Sequence, residues 1–98
     1  MILHTLNKPS SSESLCHQLS ENISRTDSVI LIEDGVYQII GLEHHSLGHW
    51  SSTANKIYAL RDDVIARGVS ITADYINYID YAEFVSLTIS HDKVISWY

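Results

Sequence analysis

The amino-acid sequence predicts a three-layer α/β fold in which helices cover both faces of a mostly parallel, five-stranded sheet. Segments with the patterns of strands and helices alternate along all 98 residues, as is typical of this fold class. The apolar run Val29–Ile32 is continuous rather than alternating, which favours a parallel strand covered on both faces. The connections are short, so each helix must cross over and return the chain parallel to the previous strand. The length suits a single domain over residues 1–98.

The first strand and the first helix are expected near the start of the sequence. Met1–Leu6 is a strand-length apolar run, and Pro9 followed by serines is typical of a helix start. Ser10 and Glu13 have the spacing of a capping box, and we expect a helix over about residues 11–23. Its apolar side chains recur at every fourth position: Leu15, Leu19 and Ile23.

A second helix is expected after the strand Val29–Ile32, with Asp34 as its N-cap. Its apolar positions are Val36, Ile39, Ile40 and Leu47. Gly41 and Gly48 weaken this prediction, because each glycine in a helix interior costs about 1 kcal/mol relative to alanine. The end of this helix is left open.

The second half of the chain is expected to add three strands and two helices. The strands are residues 56–60, 75–79 and 93–98. Asp62 and Asp63 suit the positive N-terminal end of the first of these helices, and Gly68 suits its C-terminal end. Asp80 and Glu83 have the spacing of a capping box and are expected to start the second helix.

Composition argues against several kinds of partner. The net charge is −6, and the six lysines and arginines are spread singly, so no basic stripe is present to neutralise phosphates. Neither a GxxxxGKS/T nor a GxGxxG phosphate loop follows the first strand. No membrane-spanning length and no signal-peptide pattern is apparent, and a lone cysteine is typical of a reducing compartment. We therefore expect a cytoplasmic protein without direct contact with nucleic acid or membrane.

Cys16 is the one cysteine and the first candidate reactive residue. If the first helix starts at Ser12, the sulfur lies just past the first turn, where the helix macrodipole favours a thiolate. If the helix starts at Ser10, most of that effect is lost. Successive helical residues are about 100° apart, so Cys16 falls beside the apolar stripe while His17 points elsewhere. Packing as a small buried residue is therefore the alternative to a sulfur-carrying role.

The histidines raise a metal hypothesis. His45 and His49 have the i, i+4 spacing that zinc can bridge on a helix. Gly48 lies between them, and neither a nearby cysteine nor a second fixed pair completes a tetrahedral set. We therefore favour solvated or packed histidines and expect neither a metal site nor a cofactor. His4 and His91 could meet only through the fold.

Carboxylates and aromatic side chains leave two further alternatives open. Glu33 and Asp34 end the second strand, where general acid or base catalysis is feasible, although a helix cap and a solvated rim explain them equally well. The last third of the chain is rich in aromatic residues: Tyr75, Tyr78, Tyr81, Phe84, Trp97 and Tyr98. Tyrosine and tryptophan anchor interfaces as well as cores, so this set is expected in either a core or an oligomer face.

Four segments of the chain carry a family resemblance. They are LHTL (3–6), ILIEDGVY (30–37), IYALRDDVIARGV (57–69) and IDYAEFVSLTISHDKVISW (79–97). In this order they resemble the TusB/DsrH family of sulfur-relay proteins over nearly the whole chain, with the weakest match at residues 41–55. The resemblance implies a DsrE/F/H-like domain with flavodoxin-like layering.

The same resemblance implies a function. TusB-like chains assemble with TusC-like and TusD-like paralogues in a heterohexamer that contains two copies of each. The complex passes persulfide sulfur from a TusA-like donor to a TusE-like acceptor for 2-thiolation of the tRNA wobble uridine, and it reaches tRNA only through later partners. DsrH-type chains serve sulfur oxidation with the same architecture, and the sequence leaves both pathways open.

The relay cysteine of such complexes belongs to the TusD-like subunit. Some DsrH-like chains have a cysteine in the region of the first helix, and Cys16 matches that position approximately. The resemblance therefore makes Cys16 a candidate secondary persulfide site in a mainly structural, non-catalytic subunit. The alternative is a sulfurtransferase that carries persulfide on Cys16.

Overall fold

The computed structural model describes residues 1–9, 11–40, 45–71 and 74–97. Within these residues, strands and helices alternate along the chain. The strands are β1 (Ile2–Leu6), β2 (Ser28–Leu31), β3 (Lys56–Leu60), β4 (Ile76–Ile79) and β5 (Lys93–Trp97). The α-helices are α1 (Glu13–Asn22), α2 (His45–Thr53), α3 (Arg61–Ala66) and α4 (Tyr81–Ser90), and a 3₁₀ helix spans Glu33–Ile39.

The five strands run parallel in one sheet, in the order β4-β3-β2-β1-β5. The first three connections each move the chain one strand along the sheet in the same direction, and α4 then carries it back across the sheet to pair β5 with β1. Because crossovers between parallel strands are right-handed, the first three connections lie on one face and α4 lies on the other. The predicted three-layer α/β fold with a parallel five-stranded sheet is confirmed.

The larger hydrophobic core lies between the sheet and the layer formed by α1, the 3₁₀ helix, α2 and α3. The sheet contributes Leu6, Val29, Leu31, Ile57, Ala59 and Ile76 to this core. The helices contribute Cys16, Leu19, Val36, Leu47, Trp50 and Val64. The indole of Trp50 also donates a hydrogen bond to Oγ of Ser20 at 2.8 Å, which ties α2 to α1.

Within the described residues, α4 is the only helix that covers the opposite face of the sheet. Its core is smaller: Leu3, Ile30 and Ile79 are buried there, with Ile32, Tyr58, Phe84 and Leu87 packed against them. No residue of α4 is itself buried. The two faces of the sheet therefore differ. One face is covered by several helices with a large core, and the other by a single helix that has no buried residue.

The prediction of a single helix that begins at Asp34 is wrong. Residues Glu33–Ile39 form the 3₁₀ helix and α2 begins separately at His45, so Asp34 lies inside the 3₁₀ helix rather than at a cap. The chain packs so closely here that a Cβ atom on Gly35 would collide with the carbonyl oxygen of Leu6. This close approach to β1 is a tertiary constraint that apolar spacing along the sequence does not reveal.

The two predicted capping boxes have different outcomes. In α4 the carboxylate of Asp80 accepts from the backbone N–H of Glu83 at 2.8 Å, and Oε1 of Glu83 accepts from the Asp80 N–H at 3.5 Å, so this box is confirmed. In α1, Glu13 is the first helical residue and Ser12 is the N-cap. Ser10, the other member of the predicted box, lies outside the described residues.

Candidate functional site

The carboxyl end of the sheet, where parallel α/β proteins place their ligands, brings Cys16 and Gln38 together. Cys16 follows β1 on α1, and Gln38 follows the adjacent strand β2 on the 3₁₀ helix. Cys16 is the fourth residue of α1, and its backbone N–H donates to the carbonyl oxygen of Ser12 at 3.1 Å. Of the two helix starts considered, the structure therefore has the one near Ser12.

The sulfur atom of Cys16 is enclosed by protein. The residue is 2 % exposed, and its Sγ lies 3.3 Å from Nε2 of Gln38 and 4.0 Å from the carbonyl oxygen of Pro9. The same Gln38 amide contacts the carbonyl oxygen of Lys8 at 3.2 Å. One side chain thus ties the 3₁₀ helix to the loop that covers the sulfur, and the expected packing of Cys16 in the core is confirmed.

An open cleft of about 490 Å³ runs along the start of α1. It is lined by Lys8, Ser11, Ser12, Glu13, Ser14 and Leu15, and Cys16 is not among the lining residues. A molecule bound in this cleft would contact the turn that covers the sulfur rather than the sulfur itself.

Glu33 and Asp34 are held in surface contacts between the 3₁₀ helix and α3. The backbone N–H of Glu33, at a φ of 50°, donates to Oδ2 of Asp63 at 2.7 Å. Arg67 Nε donates to Oδ1 of Asp34 at 3.0 Å, and Nη1 of Arg67 lies 3.7 Å from Oδ1 of Asp63. The hydrogen bond with Asp34 raises the pKa of Arg67 against the opposing effect of desolvation. These contacts hold the 3₁₀ helix against α3 at the surface. They do not enclose a carboxylate for acid or base catalysis.

The histidines have separate surroundings. Within the described residues, no group of three or more His, Cys, Asp or Glu side chains is arranged to hold a metal ion. His45 and His49 both lie in α2, where His49 is exposed and the side chain of His45 lies outside the described part of the structure. His91 is half-buried and its Nδ1 lies 2.8 Å from the carbonyl oxygen of Leu87, whereas His4 is fully buried among other partners.

His4, Asp27 and Trp97 form a polar cluster that sequence reasoning missed. Trp97 Nε1–H donates to Nδ1 of His4 at 3.0 Å, and because an indole can only donate, the proton of a neutral His4 lies on Nε2. That Nε2–H donates to Oδ2 of Asp27 at 2.9 Å. The cluster joins β5, β1 and the turn before β2 across sequence separations of 93 and 23 residues, so no local pattern could indicate it.

The aromatic residues of the last third divide between core and surface. Tyr78, Phe84 and Trp97 pack against the two cores. Tyr75 and Tyr81 are 47 % and 61 % exposed, and Tyr98 lies outside the described residues. The expected core packing is confirmed for the first three residues, and an oligomer face that includes Tyr75 and Tyr81 stays a prediction.

Comparison with known proteins identifies relatives over most of the chain. The family model named DsrH like protein matches residues 9–94. A Protein TusB from Photorhabdus laumondii is 35 % identical over 81 residues, which cover 81 % of this chain and 83 % of that protein. A Protein TusB from Escherichia coli is 36 % identical over 77 residues, which cover 76 % and 79 %. None of the helices in the described part of the chain combines the length and hydropathy of a membrane span.

Two solved structures share the fold. The crystal structure of the ychN protein from Escherichia coli has a TM-score of 0.72 at 17 % identity and covers 97 % of this chain and 96 % of that one. The solution structure of Tm0979 from Thermotoga maritima has a TM-score of 0.65 at 24 % identity, with 94 % and 95 % covered. At these identities the likeness concerns the fold alone. From the match over residues 9–94 and the identity with TusB proteins over most of its length, the chain belongs to the TusB/DsrH family.

Proposed function

We propose that this chain is a mainly structural subunit of a sulfur-relay complex that serves 2-thiolation of the wobble uridine of tRNA. Membership of the TusB/DsrH family supports a sulfur-relay role in tRNA thiolation. The observation that carries the structural assignment is the enclosure of the lone cysteine, Cys16, which is 2 % exposed.

Sulfur transfer between cysteines makes demands that Cys16 does not meet. A thiolate must approach a persulfide sulfur directly, so both sulfur atoms have to be accessible. Gln38 Nε2 and the Pro9 carbonyl oxygen lie 3.3 Å and 4.0 Å from Sγ. In the part of the chain that the structure describes, a donor protein has no path to the sulfur, which supports a relay thiol on another subunit.

The proposed partners are TusC-like and TusD-like paralogues in a heterohexamer with two copies of each chain. In this scheme the complex accepts sulfur from a TusA-like donor and delivers it to a TusE-like acceptor in the cytoplasm. The chain itself has a net charge of −6 and no cluster of lysines and arginines in its sequence, which argues against direct contact with tRNA phosphates.

Genetic replacement tests this proposal. Deletion of the protein should lower wobble 2-thiolation, measured by mass spectrometry of tRNA nucleosides, and a Cys16→Ser variant should restore it to near the wild-type level. Ser14→Ala, an exposed change on the same helix, is the matched control. Circular dichroism and copurification with the partner subunits establish that each variant folds and assembles. Complete loss of thiolation in a folded, assembled Cys16→Ser protein would overturn the structural assignment.

A sulfurtransferase role for Cys16 is the second candidate, and the Gln38 contact favours it. An amide N–H directed at a sulfur atom stabilises negative charge there, which suits a thiolate or a persulfide. Incubation of the wild type with a persulfide-loaded donor should then add about 32 Da, one sulfur atom, to Cys16. The double variant Ser14→Cys with Cys16→Ser supplies a single exposed thiol as the positive control. An adduct on this introduced thiol, with none on Cys16 of the wild type, excludes this candidate.

A DsrH-type role in sulfur oxidation is the remaining alternative within the family. It predicts that deletion leaves 2-thiolation intact and impairs growth on reduced sulfur compounds, so the same deletion strain separates the two pathways.

A further inference from the structure

His4 lies inside the protein between one hydrogen-bond acceptor and one donor. Its Nε2–H donates to Oδ2 of Asp27 at 2.9 Å, and its Nδ1 accepts from Nε1–H of Trp97 at 3.0 Å. His4 is fully buried, and Asp27 is 3 % exposed. Each ring nitrogen thus has one partner, and this pattern requires the neutral ring with its proton on Nε2. The proposed sulfur-relay role makes no use of this histidine.

A second proton on the ring would conflict with Trp97. Protonation places a hydrogen on Nδ1, and this N–H would point at the indole N–H, which cannot accept it. The two ring centroids lie 6.1 Å apart, the planes are inclined by 27°, and the nitrogens are 3.0 Å apart, so the rings meet edge to edge. A charged imidazole would therefore face the positive edge of the indole and not its negative face. Protonation removes the acceptor of Trp97 and supplies no cation–π contact in its place.

Asp27 makes a protonated ring tolerable in the interior. An unpaired buried cation destabilises a folded protein strongly, but Nε2 of His4 already contacts a carboxylate at 2.9 Å. Burial by itself raises the pKa of Asp27, yet the hydrogen bond from His4 and those from the backbone N–H groups of Ile2 and Ser24 hold it below its ordinary value. The carboxylate therefore stays ionised well below neutral pH, and the contact with a charged His4 becomes an ion pair.

Other ionisable groups of the elements around this cluster lie at the surface. The Met1 amine pairs with the exposed Asp92 at 2.8 Å. The ionisable side chains of β5, α1 and the turn before β2, with one exception, are exposed: Lys93, Glu13, His17, Glu21 and Arg25. The exception is Cys16, which is buried, but its Sγ lies beside Gln38. Among the described residues, Asp27 is thus the ionised group in contact with His4.

Trp97 holds the edge strand β5 against the larger core. It is the last residue of β5 and lies opposite Leu6 of β1, and its half-buried indole packs against that core. No residue of β5 is fully buried. The hydrogen bond to His4 therefore ties a weakly covered strand to the centre of the sheet, and its loss should loosen the strand.

We propose that the contact between His4 and Trp97 is an acid-sensitive switch, in which protonation of His4 on Nδ1 ends the hydrogen bond from Trp97 and loosens β5. The ion pair with Asp27 keeps the rest of the fold intact. The proton comes from solvent and binds at Nδ1, and no other covalent bond changes. The hydrogen bond is thus present while His4 is neutral and is lost as the pH falls and His4 becomes charged. The switch is independent of the proposed sulfur-relay role, so its test does not involve tRNA thiolation.

NMR of the two indole N–H groups tests the switch within one protein. The chain has two tryptophans, and Trp50 donates to the hydroxyl of Ser20 at 2.8 Å, an acceptor that does not change charge. Between about pH 8 and about pH 5, where histidines change charge, the Nε1–H signal of Trp97 should shift in one step together with the ring nitrogens of His4. The signal of Trp50 should stay in place. At the upper end of this range, the signals of His4 should show the neutral ring with its proton on Nε2.

Hydrogen exchange measures the consequence for β5. After correction for the intrinsic pH dependence of exchange, the protection of the β5 amides should fall by about fivefold across the same step, as expected for the loss of one hydrogen bond. Trp97→Phe removes the donor. In this variant the protection of β5 should already be lowered at about pH 8 and should not fall further with His4 protonation.

His4→Asn separates protonation from the hydrogen bond. The amide oxygen of asparagine can accept in place of Nδ1 but does not take up a proton in this range, so the Trp97 signal should lose its pH dependence. His17→Asn, the same change on an exposed histidine of α1, should leave the step as in the wild type. Circular dichroism verifies that each variant remains folded.

The proposal fails on any of three results. The first is a His4 that takes up no proton while the chain stays folded over this range, which would make the contact purely structural. The second is a Trp97 step that persists in His4→Asn, which would assign it to another group. The third is a simultaneous shift of both indole signals to the positions of the unfolded chain, which would show cooperative acid unfolding instead of a local switch.

Discussion

At the residue scale, the carboxylate of Asp27 shows how a buried charge can be supported. Its Oδ1 accepts from the backbone N–H of Ile2 at 3.0 Å, and its Oδ2 accepts from His4 at 2.9 Å and from the N–H of Ser24 at 3.1 Å. Burial by itself would raise the pKa of Asp27, but these hydrogen bonds outweigh that effect and hold the pKa below its ordinary value. The ionised form is therefore stabilised more in the folded chain than in the unfolded one.

The lowered pKa of Asp27 predicts a definite pH dependence. Its contribution to the free energy of unfolding is complete above the unfolded value of about 3.9 and is lost as the pH falls from there through the lower folded pKa. Urea unfolding between neutral pH and about pH 3 measures this loss. Asp27→Asn should lower the free energy of unfolding by about 2 kcal/mol at neutral pH, because hydrogen bonds to a charged acceptor are weakened, and should flatten its acid dependence. Asp62→Asn, an exposed carboxylate, is the control, and an equally steep acid dependence in Asp27→Asn would contradict the prediction.

Substitution of alanine for glycine is expected to lower the free energy of unfolding by different amounts at Gly35 and Gly68. At Gly35 a Cβ atom would collide with the Leu6 carbonyl, whereas at Gly68 no atom of the described residues beyond its chain neighbours lies within 4 Å of the added Cβ, and the constraint is a φ of 67°. Gly35→Ala should therefore lower the free energy of unfolding by about 3 kcal/mol or more through forced backbone movement. Gly68→Ala should lower it by about 1 kcal/mol through left-handed strain alone. Chemical denaturation of both variants measures the difference, and equal effects would show that space at Gly35 is not limiting.

At the element scale, helix starts are specified by residues only a few positions apart. The contributions of two N-cap residues to the free energy of unfolding can be compared within this chain. Asp80 makes a complete capping box at the start of α4, while Ser12 occupies the N-cap of α1 without a side-chain hydrogen bond to the helix. Asp80→Ala should therefore lower the free energy of unfolding by about 1 kcal/mol, and Ser12→Ala by less than about 0.5 kcal/mol. Urea unfolding of the two variants provides the comparison. A larger loss for Ser12→Ala than for Asp80→Ala would contradict it.

The outcome for the connection after β2 shows the limit of local patterns. The apolar positions around Val36 and Leu47 have helical spacing, yet the chain forms a 3₁₀ helix and a separate α2 there. The determining contact is between Gly35 and Leu6 at the end of β1, which lie far apart in the sequence. Spacing along the chain reports which side chains prefer burial, but not how closely two backbones must approach.

At the scale of the whole molecule, the position of each strand in the sheet predicts how long its backbone amides stay protected. β2 is buried at every position and has a strand on either side, whereas β5 is an edge strand with no buried residue. Amide protons of β2 should exchange only through global unfolding, and those of β5 should exchange faster through local opening. Hydrogen exchange followed by NMR measures both. Equal protection of Val94 and Val29 would contradict this order.

Some features of the candidate site follow from residues close together in the sequence, and others depend on residues far apart. The position of Cys16 on the first helix, beside its apolar stripe, follows from sequence periodicity and agrees with its burial. The enclosure of its sulfur by Gln38 and Pro9 does not, since Gln38 lies 22 residues away on a 3₁₀ helix that the apolar spacing did not predict. The solvent exposure of a thiol depends on such distant neighbours. The sequence therefore identifies Cys16 as a candidate but does not determine whether another molecule can reach its sulfur.

The sequence by itself determined the alternation of strands and helices, the parallel sheet and the capping box of α4, because periodicity and caps act between residues a few positions apart. Only the tertiary structure decided that His4 meets Trp97, that Gln38 covers Cys16 and that Val85 and Ile89 of α4 are exposed. The physical reason is that these features depend on packing between segments distant in sequence. The closeness of such segments in space is set by the crossovers of the sheet, which no short stretch of sequence encodes.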